Sequence, residues 1–87
     1  MRIERLETGY KLTDLYIAAS ILCNPEMELV NVEADKTKNK QTMFVIKGDP
    51  DKIKFIIDAF FNGKHMVDAN LFKGKVQALK SRLYANF

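Results

Sequence analysis

The residues best suited to chemistry lie in FFNGKHMVDANLF, residues 60–72, which holds the chain's only histidine. His65 is followed three positions later by Asp68. An imidazole near a carboxylate could transfer protons at neutral pH, because histidine titrates there. The same stretch, however, contains residues that end one helix, Asn62 and Gly63, and an aspartate that can begin another. We therefore predict a connection between two helices, and keep an enzyme that uses His65 and Asp68 as an alternative.

Other catalytic and metal-binding motifs are missing from the sequence. It has no phosphate-binding glycine loop, no nucleophile elbow and no zinc-ligand spacing. Its 11 acidic residues form no dense cluster suited to hard cations. Cys23 is the only cysteine, which excludes an internal disulfide and a cysteine metal cluster. We predict a protein that is not an enzyme and that has no metal and no cofactor.

The length of 87 residues predicts a single domain over residues 1–87. The chain is 47% hydrophobic and 29% charged, as soluble globular proteins are. No apolar run approaches the roughly 20 residues that span a bilayer. The N-terminus, MRIERLETGYK, lacks the apolar segment of a signal peptide. We expect a cytoplasmic protein without a membrane partner.

Two strands and one helix are predicted in the first half of the chain. EMELVNVEAD and QTMFVIKG alternate as strands do, and TGYKL is a candidate third strand at the N-terminus. Met43 and Val45 oppose Phe44 and Ile46, which indicates a sheet partly covered on each face. KLTDLYIAASILCNP predicts a helix capped by Thr13, with an acidic side chain in the first turn.

DPDKIKFIIDAFFNG predicts a second helix with Asp49 as its N-cap, Pro50 in the first turn and Gly63 as its left-handed stop. Its apolar stripe consists of Ile53, Ile56, Ile57, Phe60 and Phe61. Phe55 falls outside that stripe, on the polar face. An aromatic side chain there either covers a neighbouring loop or anchors a partner, and the sequence leaves both open.

The third helix is predicted at about residues 69–85, with Asp68 as its cap and Asn70 as the alternative cap. Its narrow apolar seam consists of Phe72, Val76, Leu79 and Leu83. Its outward face is small and neutral, with Gly74, Ala78, Ser81 and Ala85. Because small residues let a second helix approach closely, we predict that this face and Phe55 form a protein interface, with a homodimer as one form. The alternative is an ordinary solvent face.

Positive charge is concentrated in two places. Residues 64–87 carry five cations against Asp68, and the predicted hairpin loop adds three lysines at alternate positions. Such asymmetry is typical either of a solvated surface or of a polyanion-binding one. For the second alternative, a nucleic-acid-associated protein, the phosphate contacts would be Lys36, Lys38, Lys40, Lys73, Lys75, Lys80 and Arg82.

The order of these motifs resembles a family of short uncharacterised proteins from bacteria, archaea and their phages. The resemblance covers about residues 10–84 and rests on a threonine-aspartate-leucine helix start, a phenylalanine-valine strand, two turn motifs and a basic helix end. These positions are Thr13, Asp14, Leu15, Phe44, Val45, Phe60, Asn62, Gly63, Val67, Asp68, Leu79, Lys80, Arg82, Leu83 and Tyr84. Two departures are the absence of a glycine in LCNPEMELVNV and the long hairpin loop ADKTKNKQ. The resemblance implies a phage or mobile-element connection and no particular activity.

Taken together, the sequence predicts an α+β fold: a small antiparallel sheet packed with three helices. The function it predicts is that of a small non-enzymatic phage or mobile-element accessory protein. Such a protein would act through protein–protein contacts, with another protein or with itself.

Overall fold

The computed structural model describes residues 2–35 and 41–85. Within them the chain forms four strands and three helices. In chain order these are β1 (Ile3–Leu6), β2 (Gly9–Leu12), α1 (Leu15–Leu22), β3 (Glu28–Asp35), β4 (Gln41–Lys47), α2 (Pro50–Phe61) and α3 (Ala69–Ala85). None of the described helices combines the length and apolar character needed to cross a bilayer.

The four strands form one antiparallel sheet in the order β1-β2-β4-β3. The prediction of an α+β fold with an antiparallel sheet and three helices is confirmed, as is the candidate strand at TGYKL. The sheet has four strands rather than two or three, because β1 pairs with β2 across a tight turn at residues 7–8. β1 has only four residues, IERL, and its two charged residues are adjacent, so it lacks the alternation that marks a strand and its sequence signal is weak.

The core lies between the sheet and the helices. Leu12, Phe44 and Ile46 are almost fully buried against α1 and α2. Both α2 and α3 pack on α1, with little direct contact between the two of them. The opposite sheet face is not covered by a described helix: an ion pair crosses it, with 3.3 Å between Lys11 Nζ and Glu33 Oε2. Met43 on this face is nevertheless only 3% exposed and Val45 is half-buried, so the burial of these two residues agrees with the predicted partial covering of each face.

The start of α1 differs from the prediction by one residue. Asp14, not Thr13, is the N-cap, and its carboxylate accepts hydrogen bonds from the backbone N–H groups of Tyr16 and Ile17. Thr13 instead ties the end of β2 to the start of β1. Its Oγ1 lies 2.9 Å from the Arg2 backbone nitrogen, and its own N–H donates to the Arg2 carbonyl. Because the Thr13 hydroxyl already accepts a hydrogen bond from the Arg2 N–H, it does not cap α1.

The predicted ends of α2 are confirmed. Asp49 accepts a hydrogen bond from the Asp51 N–H, Pro50 opens the helix, and Gly63 has a φ of +67°, in the left-handed region. The apolar stripe is buried at Ile53, Ile56 and Ile57 and half-buried at Phe60. Phe61 is 56% exposed, so its placement in the stripe is wrong. The Phe61 ring packs edge to face against the Phe60 ring, and the side chain is otherwise exposed to solvent.

Asp68 begins α3, as predicted. Its Oδ1 accepts from the Leu71 N–H at 2.9 Å, and its carbonyl accepts from the Phe72 N–H. The predicted seam is also confirmed: Val76 and Leu79 are buried, and Phe72 and Leu83 are half-buried. This narrow seam holds α3 against α1 and leaves most of the α3 surface exposed.

Candidate functional site

A groove opens where α2 and α3 diverge above the end of α1. We call it the Phe55 groove. Its walls are Phe55, Ile56 and Ala59 of α2 on one side and Leu71 of α3 on another, and Cys23 and Pro25 close the end of α1. The connection 64–68 forms the remaining border. Its volume is about 690 Å³, which lies within the range of ligand-binding clefts.

The border of the Phe55 groove is apolar and exposed to an unusual degree. Phe55 is 75% exposed and Met66 is 93% exposed, and Val67 and Leu71 are also open to solvent. Four large apolar side chains around one opening differ from isolated exposed leucines, which most proteins have. A contiguous patch of this kind is typical of an interaction surface. Of the two alternatives for Phe55, covering a loop is disfavoured by this exposure.

Several polar residues also line the groove, and some of them are already engaged in hydrogen bonds: Ser20, Asn24, Lys52, Lys64, His65 and Asp68 line it. Lys52 donates to Glu26 at 3.0 Å, and this hydrogen bond raises the pKa of Lys52. Asp68 caps α3 through the Leu71 N–H. Lys64 is exposed and makes no ion pair with a described residue. The groove therefore combines exposed apolar side chains with polar ones, and Lys64 is a lining cation that has no ion pair with a described residue.

Cys23 lies in the wall of this groove as a free thiol. Partial burial raises its pKa above the ordinary value; Lys75 opposes the shift and Asp68 adds to it. A thiol with a raised pKa is a poor nucleophile at neutral pH, because the thiolate is the reactive form. Cys23 contributes a partly buried side chain to the groove wall.

His65 borders the Phe55 groove and a smaller hollow of about 250 Å³ beside Phe60 and Phe72. Its Nε2 is buried and has no hydrogen-bond partner among the described residues. Asp68, the acid proposed to assist it, directs its Oδ1 to the α3 backbone. The structure places both residues at one opening, but it provides no hydrogen bond between them among the described contacts. The catalytic alternative stays a prediction.

A second groove, which we call the Ala78 groove, lies beside α3. It has a volume of about 640 Å³ and is lined on the α3 side by Lys75, Ala78, Ser81 and Arg82. Leu22, Met27, Glu28 and Leu29 form its other side. Leu71, Lys75, Ala78 and Arg82 recur at helical i, i+4, i+7 and i+11 spacing. They therefore form one row, and the two grooves follow one another along it.

The predicted interface residues fall on or near these grooves. Phe55 lines the first groove, and Ala78 and Ser81 line the second. Gly74 is exposed, with open space around the position that a Cβ atom would occupy, and lines neither groove. The backbone of Ala85 lies in the last turn of α3. Phe55 and part of the small-residue face thus border the same side of the molecule.

The predicted phosphate contacts do not form one surface. Lys75 and Arg82 line the Ala78 groove, whereas Lys73 and Lys80 lie on the other side of the α3 seam. None of these four cations makes an ion pair with a described residue. Lys36, Lys38 and Lys40 lie outside the described residues.

Sequence reasoning missed the other residues that border the Phe55 groove. The sequence places Met66 and Val67 in the predicted connection and Leu71 in the predicted third helix, outside its apolar seam. A signal was present, since two apolar residues in an exposed connection and a leucine outside the α3 seam have no place in the core pattern. Cys23 and Pro25 carried no such signal.

No group of three or more His, Cys, Asp or Glu side chains within residues 2–35 and 41–85 is arranged to hold a metal ion. Comparison of the chain with protein-family models, with curated proteins and with solved structures found no match. The resemblance to a family of short uncharacterised proteins therefore stays a prediction.

Proposed function

We propose that this is a small non-enzymatic binding protein that acts through protein–protein contacts at the Phe55 groove. The observation that carries the proposal is the ring of exposed apolar side chains around that groove: Phe55, Met66, Val67 and Leu71. Burying a large apolar side chain contributes about 1.5–3 kcal/mol. Aromatic and methionine side chains are also the types most enriched at protein interfaces.

The proposal allows two kinds of partner. One is a different protein that inserts a side chain or a helix into the Phe55 groove. The other is a second copy of this chain, pairing through the small-residue face of α3 at Gly74, Ala78 and Ser81, which is exposed and free of charge. An accessory role in a phage or mobile element is part of the proposal, supported by the resemblance alone.

Nucleic-acid binding is the second candidate function. It is favoured by the exposed cations of α3, which have no described ionic partner. The division of these cations between two sides of α3 weakens the case for nucleic-acid binding, because a phosphate backbone would contact only one row of cations at a time. Its signature is an affinity that falls steeply with salt concentration.

A site-specific crosslink tests the protein-contact proposal. Phe55 is replaced by the photo-crosslinking residue benzoylphenylalanine, and the chain is irradiated in the cells that produce it. The control carries the crosslinker at Lys47, an exposed position at the end of β4. We expect a discrete adduct at position 55 that is absent at position 47 and is lost with Leu71→Ser. An adduct of twice the 10.0 kDa chain mass would identify a second copy as the partner.

Equal, diffuse labelling at positions 55 and 47 would contradict the proposal, because it would show that Phe55 is an ordinary surface residue. Circular dichroism of the Leu71→Ser chain shows whether a lost adduct reflects lost binding or lost fold. Leu71 is half exposed and outside the core, so we expect this variant to fold.

A further inference from the structure

We infer that the two grooves together form one docking face for an acidic amphipathic helix of another protein. This inference rests on the proposed function and specifies its partner. The docking face is defined by the α3 row Leu71, Lys75, Ala78 and Arg82, with the Phe55 groove at one end and the Ala78 groove at the other.

The first argument is continuity and length. The row from Leu71 to Arg82 covers three turns of α3, about 16 Å at 1.5 Å per residue. Leu71 of the Phe55 groove and Lys75 of the Ala78 groove lie one helical turn apart, and Cys23 of the first groove follows Leu22 of the second in the chain. The grooves therefore adjoin rather than lie on separate faces. A partner helix of about three turns matches this length. Its apolar residues would recur at every turn, so that those near one end enter the Phe55 groove and those near the other end enter the Ala78 groove.

The second argument is charge. Lys75 and Arg82 stand seven residues apart on the docking face, about 10 Å along the helix. Neither makes an ion pair with a described residue, whereas Lys52, Lys54 and Arg5 of this chain all do. Cations left unpaired beside an apolar groove complement carboxylates on the edge of a helix that occupies it.

The acidic residues that line the grooves, Asp68 and Glu28, are outnumbered by the lining cations Lys52, Lys64, Lys75 and Arg82. Asp68 is engaged at the N-terminus of α3, where it accepts from the Leu71 N–H. Glu28 lines the opposite side of the Ala78 groove and has no described ionic partner. The two sides of the Ala78 groove therefore differ in sign, with cations along α3 and a carboxylate across from them. We expect the acidic edge of the bound helix to lie along α3.

The same charges disfavour a second copy of the chain on this face. In a two-fold dimer whose axis passes through this α3 row, Lys75 and Arg82 would approach the same cations of the other chain. Like charges brought together at an interface oppose binding. The small-residue face of α3 does not share this objection, because Gly74 and Ser81 are neutral.

Labelled peptides test the inference directly. The probe is a fluorescein-labelled amphipathic peptide of about 14 residues, with leucines at i, i+4 and i+7 spacing and glutamates along one edge. The comparison peptide has lysines in place of the glutamates. We expect the acidic peptide to bind about tenfold more tightly by fluorescence anisotropy, because two exposed ion pairs contribute on that order.

The chain offers a matched control for the charge argument. Lys75→Glu/Arg82→Glu should abolish the preference for the acidic peptide. Lys73→Glu/Lys80→Glu makes the same change in net charge on the other side of the α3 seam. This variant should retain the preference for the acidic peptide. Lys75→Gln/Arg82→Gln, which removes charge without reversing it, covers the case in which the double glutamate variant fails to fold.

Equal binding of the acidic and basic peptides would overturn the inference and leave the proposed function standing. If neither peptide binds while the Phe55 crosslink still forms, the inference is likewise overturned and the proposed function stands. A short DNA duplex offered in place of the peptides provides a further outcome. If the duplex binds and both double glutamate variants weaken it equally, the inference is overturned in favour of nucleic-acid binding.

Discussion

Phe55 of α2 and Leu71 of α3 line the same groove, although each belongs to a helix whose opposite side is packed in the core. α2 and α3 both rest on α1 and have little direct contact with each other. The opening between them is therefore a consequence of how the helices pack. Phe55 and Leu71 are not part of the core and remain exposed at that opening.

Self-association through the small-residue face is tested by a charge on α3. If the protein is a dimer, Ala78→Glu should reduce the mass measured by light scattering from twice 10.0 kDa to 10.0 kDa. The carboxylate would be buried in the contact without a partner, which is costly. Thr8→Glu, which adds the same charge at an exposed position in the turn between β1 and β2, should leave the mass unchanged. A dimer that survives Ala78→Glu would show that this face is not the interface.

Two glycines should respond to alanine in opposite directions. A Cβ at Gly9 would collide with the Ile46 carbonyl across the β2–β4 pair, whereas a Cβ at Gly74 would meet open space. We expect Gly9→Ala to lower the free energy of unfolding by more than about 2 kcal/mol, comparable to overpacking in a core. Gly74→Ala should raise it by about 0.5–1 kcal/mol, because alanine is the better helix former.

Urea unfolding monitored by circular dichroism measures both glycine variants. A destabilising effect of Gly74→Ala would mean that this position contacts something close, as a tightly packed helix dimer would require. It would therefore count against the open surface described above.

A pair of alanine variants distinguishes Asp68 from Asn70 as the N-cap of α3. Asp68→Ala removes the acceptor for the Leu71 N–H and should cost about 1 kcal/mol of stability. Asn70→Ala, at the alternative cap position, should change stability by less than about 0.5 kcal/mol. Asp68→Asn should preserve the cap. Equal losses for Asp68→Ala and Asn70→Ala in urea unfolding would contradict the assignment.

The reactivity of Cys23 reports on its surroundings in the Phe55 groove. Because burial raises its pKa, less thiolate is present at pH 8 than in an unstructured peptide, and alkylation by iodoacetamide should be slower. Lys75→Gln removes the cation that lowers the pKa and should slow the reaction further. Asp68→Asn removes an anion that raises the pKa and should speed it.

Mass spectrometry of the alkylated chain over time follows the Cys23 reaction. An occupied groove should also protect the thiol, so addition of the acidic peptide should reduce the rate in the unsubstituted chain. Alkylation at the rate of a free cysteine peptide would contradict the environment described for Cys23.

Much of the fold could be predicted because local signals coincide with the tertiary contacts. Asp49, Gly63 and Asp68 occupy the helix ends expected of them, and the α3 seam is buried as its spacing predicts. β1 was missed because four residues of mixed polarity carry little pattern. Thr13 was misassigned because its hydroxyl is used by Arg2, a contact between distant residues that no local rule anticipates.

The candidate site was predicted only in part, for a physical reason. Phe55 stands out because it interrupts a polar helix face, which periodicity reveals. Met66 and Leu71 become significant only when the 64–68 connection brings them beside Phe55, and that proximity depends on how α2 and α3 pack on α1. A groove between elements is a property of the fold, so a single sequence does not show it.

The measurement that tests the central claim most directly is an NMR titration of ¹⁵N-labelled protein with the acidic amphipathic peptide. We predict that the amide shifts concentrate at Phe55, Met66, Leu71, Lys75 and Ala78, which border the two grooves, and are small at Lys73, Lys80 and the outer sheet residue Lys11. Shifts that follow the Lys73–Lys80 side of α3 or the outer sheet face instead would contradict the account, because they would place binding away from the exposed apolar groove.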